Sequence, residues 1–382
     1  MNDKPVNPPA PRELKTFQAT RQLLSARFSP CGKFLCSGAM DRVVFRWNVV
    51  EKKPAADIEL PDEAAKKAAP KNAKNAPKES PVELTPLPPL TGFGGWVPTV
   101  AFHPTEKLLF AADSWGRLVG TEYEGDAAKP RWQHATAHDG WIRRVAVSAD
   151  GKLLATCGRD RFVRIWNAAD GKPVAKHEHS EDVFAVTFTP DGSQVVFGDT
   201  FGKLSTLDFK SGKVARQFDA SALHKLSRLQ DVAGLRVLML LDEGKTLVAA
   251  GCQPKDGGFV EGGPVLLYFN FADGKLLREV RAGGEKDGFV HDLAWHPGGF
   301  LMAATSGQPG SGKLMFIRPE DREPFYTNSS MANCHAVALH PDGKRFVVTS
   351  TNRNSSGNGR PNSKDGEYPG NSSPVHLFEI PA

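Results

Sequence analysis

A glycine-rich segment near residue 310 has the residue types of a phosphate-binding loop. Residues Gly307–Lys313 read GQPGSGK and match the spacing G-x-x-x-x-G-K, in which backbone N–H groups and a lysine hold phosphates. Leu314 stands where that motif requires serine or threonine. The following residues, Leu314–Ile317, predict a strand, whereas a phosphate loop needs the N-terminus of a helix. The sequence therefore argues against a nucleotide site here.

Histidines and carboxylates also occur in pairs that suggest metal or acid–base chemistry. His134 and His138 would share a face of a helix, but this stretch is predicted to be a loop that enters a strand. His177 and His179 form a pair without an obvious third ligand. His138 and Asp160 would make a catalytic pair, yet no nucleophile accompanies them and no G-x-S-x-G elbow occurs. We therefore expect no catalytic residue, no metal and no cofactor, and predict that the protein is not an enzyme.

The strands that would position these residues are predicted from seven copies of one turn motif. Each copy places Pro or Asp-Gly between two apolar runs, and such residues favour tight turns. The fourth residues of the turns are 32, 106, 151, 192, 244, 299 and 343, so the spacings are 74, 45, 41, 52, 55 and 44. Hairpins repeating at a period in the forties are typical of a β-propeller. The sequence thus predicts an all-β, seven-bladed β-propeller.

The third repeat is the clearest of the seven. Four strands are predicted within 40 residues, at Trp141–Val147, Leu153–Cys157, Phe162–Asn167 and Pro173–His177. Its segment Leu154–Asn167 reads LATCGRDRFVRIWN, and Leu35–Asn48 in the first repeat reads LCSGAMDRVVFRWN. Both resemble the core segment of the WD-repeat propeller family, with Asn in place of the usual Asp after Trp. The other repeats depart from that pattern and are identified by their turns.

The resemblance implies a role for four residues of the third repeat. The family's hydrogen-bonded tetrad corresponds to His138, Thr156, Asp160 and Trp166. It implies a structural His138, because a buried imidazole needs partners for both ring nitrogens. The closest resemblance is to bacterial members whose role is not defined, and the family's usual role is that of a scaffold. The first repeat keeps Asp41 but lacks the histidine.

The two chain ends predict how the ring closes. The last repeat supplies only three strands, at Cys334–Leu339, Arg345–Ser350 and Pro374–Ile380, while an unassigned strand, Glu13–Thr20, precedes the first repeat. Pairing this strand into the last blade removes two open sheet edges. We therefore assign residues 1–12 to a disordered lead and residues 13–382 to a single propeller.

Several insertions interrupt the repeats. Residues 51–81 are rich in Lys, Ala and Pro and predict a flexible insertion between the third and fourth strands of the first blade. The connections Cys252–Pro264, Ser306–Gly312 and Asn352–Ser373 lie at one equivalent position in the last three blades. Equivalent loops of a propeller emerge on one face, so we expect a loop-rich recognition surface there. Residues 221–229 form an extra piece, predicted as a helical turn on the same face.

The first strands add candidate partner-binding residues to that face. An aromatic residue follows glycine at Trp96, Trp141 and Phe289, and two residues later come Pro98, Arg143 and His291, on the same side of the strand. Trp, Arg and Met dominate the energetics of protein interfaces. The candidate partner-binding residues are Met40, Trp96, Trp141, Arg143, Arg159, Phe289, His291 and Tyr368.

The composition bounds the class of protein. Lys and Arg number 48 against 43 Asp and Glu, a net charge of +5 that is too dilute to indicate nucleic-acid binding by itself. No apolar run approaches the ~18 residues of a membrane span. The N-terminal residues carry no apolar secretory segment, and the five cysteines lack a C-x-x-C pair. We expect a cytoplasmic monomer with reduced thiols and no membrane partner.

The function that fits these features is a non-catalytic scaffold that binds a protein or peptide on the loop-rich face. One alternative is a propeller enzyme, a lactonase-like hydrolase with a site in the central channel, which would need converging carboxylates or a metal. A second is nucleic-acid binding through arginines between Arg143 and Arg164. Strand alternation is expected to send Arg143 and Arg144 to opposite sides, which argues against a single basic patch.

Overall fold

Seven four-stranded antiparallel sheets form the described part of the chain, together with one small separate hairpin. The computed structural model describes residues 7–52, 82–126, 128–227, 230–255, 262–308, 310–351 and 373–381. Within each blade we name the strands a to d from the channel outward. The a strands of successive blades contact one another, and blade 7 contacts blade 1, so the sheets close into a ring. The seven-bladed β-propeller predicted from the turns is confirmed.

The strands of the blades follow one another in chain order, apart from strand d of blade 7. Blades 1 to 4 consist of Arg27–Phe28, Phe34–Gly38, Val44–Glu51 and Val82–Leu90; Thr99–Phe102, Leu108–Ala112, Leu118–Glu122 and Pro130–His134; Ile142–Val147, Leu153–Gly158, Phe162–Asn167 and Pro173–Glu178; Val183–Phe188, Val195–Asp199, Lys203–Asp208 and Lys213–Asp219. Blades 5 to 7 consist of Leu235–Leu241, Thr246–Pro254, Gly262–Asn270 and Leu276–Arg281; Phe289–His296, Phe300–Ser306, Gly312–Ile317 and Tyr326–Asn328; Ala332–Leu339, Arg345–Thr351, Ser373–Glu379 and Arg12–Ala19.

The N-terminal strand closes the ring. Arg12–Ala19 pairs antiparallel with Ser373–Glu379 and is the fourth strand of blade 7, as the unassigned strand predicted. It begins one residue earlier than expected, at Arg12. Residues 1–6 lie outside the described residues. The blade that completes the propeller is thus built from both ends of the chain.

The repeated motif forms the a–b turns. Six of the seven turns have glycine at the fourth position with φ between +67° and +90°, at residues 32, 151, 192, 244, 299 and 343. Such positive φ angles suit glycine because it lacks a Cβ. In blade 2 the position is Glu106, and there the His103 imidazole accepts hydrogen bonds from the backbone N–H groups of Thr105 and Glu106 at 3.2 and 2.9 Å.

Turn histidines also link neighbouring blades. The Nε2 atoms of His296 and His340 lie 2.8 and 3.0 Å from the carbonyl oxygens of Gly343 and Gly32, the turn glycines of the next blades. A Cβ on Gly32 would lie only 2.4 Å from His340 Nε2, so the close approach requires glycine. The His340 contact crosses from blade 7 to blade 1 and supports the closure on the face opposite the b–c loops.

The hydrophobic core is divided among the contacts between blades. Each of the seven buried clusters joins residues of two neighbouring blades, as in the cluster of blades 2 and 3 that contains Phe110, Trp132, Leu154 and Trp166. The other six clusters repeat this arrangement around the ring. Burial of apolar surface between sheets holds the blades face to face. The central channel lies inside these contacts and is lined by the a strands, the innermost strand of each blade.

The insertions differ in detail from the sequence prediction. In blade 5 the loop predicted at Cys252–Pro264 is shorter, because strands b and c remain paired as far as Pro254 and Gly262. Residues 221–229 were predicted to form a helical turn. A 3-10 turn occurs at Ser221–Leu223, but it is followed by a hairpin of His224–Ser227 and Gln230–Ala233, which the prediction missed.

Two predicted insertions fall mainly on residues that the structure does not describe. In blade 1, strand c ends at Glu51 and strand d begins at Val82, so the insertion lies between the predicted strands, but residues 53–81 are outside the described residues. The same holds for residues 352–372 between strands b and c of blade 7. The flexibility predicted for residues 51–81 stays a prediction.

Candidate functional site: the mouth of the channel

One residue from each blade lines a cavity of about 300 Å³ at the end of the channel where the a strands begin. In every blade this residue directly follows a fully buried apolar residue or cysteine, such as Ile142 before Arg143. We call the seven residues the mouth ring. Its members, from blade 1 to blade 7, are Leu24, Pro98, Arg143, Phe184, Arg236, His291 and His335.

A register irregularity explains how these residues reach the channel. In blades 3 to 6 the pairing of strands a and b skips one residue, the mouth-ring residue, and in blade 7 the skipped stretch includes His335. A bulge leaves an unpaired residue and breaks the alternation of side chains. As a result Arg143 and Arg144 both line the cavity. The expectation that alternation would separate these two arginines was wrong for this physical reason.

Aromatic and cationic side chains form a continuous stack around half of the mouth. The rings of Trp96 and Trp141 meet edge to face, with centroids 5.8 Å apart. The Arg143 guanidinium carbon lies 4.4 Å from the centroid of the Trp141 ring and 4.5 Å from that of Phe184. Cations over aromatic rings at such distances are attracted by the ring quadrupole. The stack fixes Arg143 without giving it a hydrogen-bond partner.

The stack continues into blades 5 and 6. The Arg236 guanidinium carbon lies 5.6 Å from the Phe184 centroid and 4.0 Å from that of Phe289. Arg236 donates hydrogen bonds to the carbonyl oxygens of Ala233 and Leu235, both at 2.8 Å. Burial, together with the charges of neighbouring Arg143 and Arg144, lowers the pKa of Arg236 to about 10. Its guanidinium therefore stays charged at neutral pH but lies in an unfavourable electrostatic environment.

Two histidines complete the ring. Their imidazole centroids are 5.3 Å apart, and Nε2 of His335 lies 2.8 Å from the amide nitrogen of buried Gln22. Burial lowers the pKa of His335 to about 4. Burial also lowers the pKa of His291, and His335 and the channel arginines lower it further. Both imidazoles are therefore neutral at pH 7.

An ion pair crosses the channel below the mouth ring. Arg27 of blade 1 donates two hydrogen bonds to the carboxylate of Asp292 in blade 6, at 2.6 and 2.9 Å. The backbone N–H of Val337, in the intervening blade 7, donates to the same carboxylate at 3.3 Å. Asp292 is only 2% exposed, so the carboxylate of this bidentate pair is shielded from water, whereas the Arg27 side chain is 32% exposed. Its charge is already matched by Arg27.

The four tetrad residues of blade 3 are hydrogen-bonded to one another. Nδ1 of His138 lies 2.8 Å from Asp160 Oδ1, and its Nε2 lies 2.7 Å from the Thr156 hydroxyl. The Trp166 indole N–H donates to the same hydroxyl at 2.9 Å. Burial alone would raise the pKa of Asp160, but the hydrogen bonds and charges of His138 and Arg164 lower it well below its usual range.

Blade 1 lacks the histidine, and its aspartate does not have the histidine donor that Asp160 has in blade 3. One carboxylate oxygen of Asp41 is buried and has no hydrogen-bond partner among the described residues. Burial raises the pKa of Asp41. Blade 4 keeps the histidine, and Nε2 of His179 instead lies 2.9 Å from Asp199, at the end of strand b. The network thus differs from blade to blade.

The structure brings only some of the predicted partner-binding residues together. Trp96, Trp141, Arg143 and His291 line the cavity, and Phe289 lies beneath Arg236. Met40 and Arg159 do not line it, and Tyr368 lies outside the described residues. Sequence reasoning missed Arg236 and His335, which have no Gly-aromatic pair before them. No residue type in the sequence marks these two positions, since the shared feature, a fully buried residue directly before each ring position, is seen only in the structure.

Sequence reasoning also missed Trp115. This residue lies in the b–c turn of blade 2, and its side chain is 69% exposed. Its ring packs against the backbone of Gly94 and Gly95, where a Cβ would come within 3 Å of it. Trp96, the next residue, is 40% exposed. Two exposed tryptophans therefore adjoin the mouth ring on the same face.

The phosphate-loop-like segment and the possible metal ligands noted in the sequence do not form such sites among the described residues. Lys313 of the phosphate-loop-like segment lies in strand c of blade 6, and its Nζ contacts the Asp287 carboxylate at 2.6 Å. Over the described ranges, no group of three or more His, Cys, Asp and Glu residues is arranged to hold a metal ion. Nor does any helix in that part of the chain have the length and apolar character needed to cross a membrane.

Comparison with known families matches two segments of the chain. Residues 11–48 and 131–167 match the model described as "WD domain, G-beta repeat". These segments contain the first and third repeats, the two in which the resemblance was seen in the sequence. The seven-bladed β-propeller thus contains two segments that are similar to this repeat.

Curated relatives share parts of the chain. Periodic tryptophan protein 2 homolog of Dictyostelium discoideum is 27% identical over 258 residues, 66% of this chain and 25% of that protein. Small ribosomal subunit protein RACK1 of Drosophila melanogaster is 29% identical over 101 residues, 26% of this chain and 31% of that protein. Cross-pathway control WD-repeat protein 2 of Flammulina velutipes is 32% identical over 97 residues, 25% and 30% of the two chains.

These relatives are matched over only a quarter to a third of their own length. Their names are not those of enzymes. All three come from eukaryotes, so the expected likeness to bacterial members stays a prediction.

Proposed function

We propose that this protein is a non-catalytic scaffold that binds a protein or peptide partner across the face around the mouth ring. The observation that carries the proposal is the pair of exposed tryptophans, Trp96 and Trp115, beside the stack of Trp141 and Arg143. Large exposed aromatic residues next to arginine are the types that dominate protein interfaces. A rigid ring pre-organises them, which lowers the entropy lost on binding.

Two further features support the proposal. WD40 propellers typically serve as platforms for protein interactions, and one relative of this chain is named as a protein of the small ribosomal subunit. Strand b of blades 5 to 7 ends on the same face as the mouth ring, because it runs back toward the start of strand a. Loops held by a rigid scaffold are common recognition surfaces.

The hydrolase alternative lacks the site that it would need within the described residues. Asp292 is a channel carboxylate, but it is occupied by Arg27, and the cavity lining contains no Asp or Glu. The nucleic-acid alternative gains Arg143 and Arg144 as channel neighbours, but Arg164 is hydrogen-bonded to Asp160 at 2.7 Å. Neither alternative uses the exposed tryptophans as directly as a protein partner does.

The test compares two tryptophans of nearly equal exposure. Trp96 at the mouth is 40% exposed, and Trp295 near the opposite end of strand a in blade 6 is 38% exposed. Proteins captured from the native cell by wild type, Trp96→Ala and Trp295→Ala would be quantified by mass spectrometry. We expect Trp96→Ala to lose a specific protein, at least tenfold, that Trp295→Ala retains. Equal capture by all three proteins would contradict the proposed surface. If nuclease treatment of the lysate removes the captured proteins from all three samples, binding through nucleic acid would be favoured instead.

A further inference from the structure

The cavity at the mouth has an excess of positive charge that no side chain lining it balances. Three of its lining residues are the half-buried arginines Arg143, Arg144 and Arg236, and no Asp or Glu lines it among the described residues. In that part of the chain the Arg143 guanidinium has no ion-pair partner, and its Nε is buried without a hydrogen-bond partner. Partly desolvated guanidinium groups without an acceptor are costly unless something else supplies one.

The nearest carboxylates do not supply that acceptor. Asp292 already accepts two hydrogen bonds from Arg27 and one from the backbone of Val337. Asp182, at the rim, influences Arg143 electrostatically but forms no ion pair with it, and burial raises the pKa of Asp182. Among the described residues, the side chain of Arg144 donates to a carbonyl oxygen, that of Arg236, at 3.1 Å rather than to a carboxylate. The histidines of the ring are neutral and leave the positive charge unchanged.

Arg143 and Arg236 both contact the ring of Phe184. Their guanidinium carbons lie 4.5 and 5.6 Å from the Phe184 centroid, so they are separated by at most about 10 Å. A phosphate or carboxylate group can accept hydrogen bonds from two such guanidinium groups at once, because each presents several donors in a planar fork. The indole N–H of Trp141, buried without a partner, is a further donor in the same lining.

These observations point to one ligand chemistry. We propose that the mouth of the channel is an oxyanion-binding site, in which Arg143 and Arg236 donate hydrogen bonds to a phosphate group and Arg144 adds positive charge to the same lining. The cavity of about 300 Å³ is large enough for a phosphate with part of the group that carries it. The phosphate belongs either to a small free molecule or to a phosphorylated side chain. The site does not require the protein partner proposed above, although it lies on the same face.

The test uses the full chain and two probes, inorganic pyrophosphate and a glycine-flanked phosphoserine peptide, with the matching serine peptide as a blank. Binding would be measured by titration calorimetry and by the change in tryptophan fluorescence, to which Trp141 contributes because Arg143 lies on its ring. Arg143→Gln removes the charge without removing any hydrogen bond among the described residues, so the fold should persist. We expect it to weaken phosphate binding at least tenfold, since hydrogen bonds to charged groups carry that much affinity. Arg236→Gln should act in the same direction.

Arg216 provides the matched control. Its guanidinium also lies over an aromatic ring, 5.0 Å from the Phe271 centroid, but away from the channel, so Arg216→Gln makes the same change in net charge. Saturable binding of pyrophosphate that Arg143→Gln weakens and Arg216→Gln does not would support the site for a free ligand. Binding of the phosphopeptide alone, with the same dependence on Arg143, would support it for a phosphorylated chain. The proposal is overturned if neither probe binds, or if both variants weaken binding equally.

Discussion

Two buried threonines in neighbouring blades allow the tetrad to be tested with a built-in comparison. Thr156 in blade 3 and Thr206 in blade 4 are both fully buried. The Thr156 hydroxyl is hydrogen-bonded to His138 and Trp166, at 2.7 and 2.9 Å. The Thr206 hydroxyl has no partner among the described residues. Replacing each by valine keeps the shape of the side chain and removes only the hydroxyl, so the two variants differ in the hydrogen bonds lost.

The expected change in the free energy of unfolding follows from what each variant leaves behind. Thr156→Val leaves the Trp166 N–H and His138 Nε2 without partners, in residues that are 5% and 2% exposed. An unsatisfied buried group costs about 1–3 kcal/mol, so with two such groups the variant should lose about 2–6 kcal/mol. Thr206→Val removes a hydroxyl that is already unsatisfied, and the protein should be unchanged or more stable by up to about 1 kcal/mol.

Urea denaturation followed by tryptophan fluorescence would measure both effects. A lower midpoint with an unchanged slope would show lost stability rather than a changed unfolded state. Hydrogen exchange of the Trp166 indole N–H gives a local readout and should accelerate in Thr156→Val only. If both variants lose equal stability, valine packing rather than hydrogen bonding explains the loss, and the reasoning about the tetrad is refuted.

Two other predictions follow from buried titratable groups. Burial raises the pKa of four cysteines to about 12, so a thiol reagent should modify one thiol per native molecule, exposed Cys31, and all five after unfolding; more than one fast-reacting thiol would contradict this burial. The pKa of His335 is lowered from 6.5 to about 4, so the unfolded state binds its proton first and stability should fall as the pH drops from 6.5 toward 4. His335→Gln should lose that part of the pH dependence, and an NMR titration showing His335 protonated at pH 6 would refute the assignment.

Much of the fold could be predicted from the sequence, because turn residues and apolar runs determine where the strands begin and end. Glycines such as Gly151 and Gly343 adopt the positive φ of the a–b turns, and the apolar runs on either side become strands a and b. Blade 2 shows why spacing was needed as well, since Glu106 occupies the glycine position and His103 stabilises its turn. The pairing of the two chain ends was predicted from a strand count, which does not depend on any single residue.

The candidate site could be predicted only in part, because β-bulges in the a strands determine which side chains face the channel. A strict period of two places Arg143 and Arg144 on opposite sides of the strand, but an unpaired residue in strand a turns both toward the channel. No residue type near Arg236 or His335 marks the bulge, which arises from how strands a and b pair. The exposure of Trp115 likewise depends on its packing over Gly94 and Gly95, which are remote in sequence.

The ion pair between Arg27 and Asp292 has a mechanical consequence. It links blade 1 directly to blade 6, the two blades on either side of blade 7. These neighbours therefore stay connected independently of the strand pairing within blade 7. A pull on the N-terminus would first peel Arg12–Ala19 away from Ser373–Glu379, at the outer edge of that blade. The a strands around the channel would remain in a closed ring while this outermost strand detached. Loss of strand d of blade 7 would therefore not by itself open the channel.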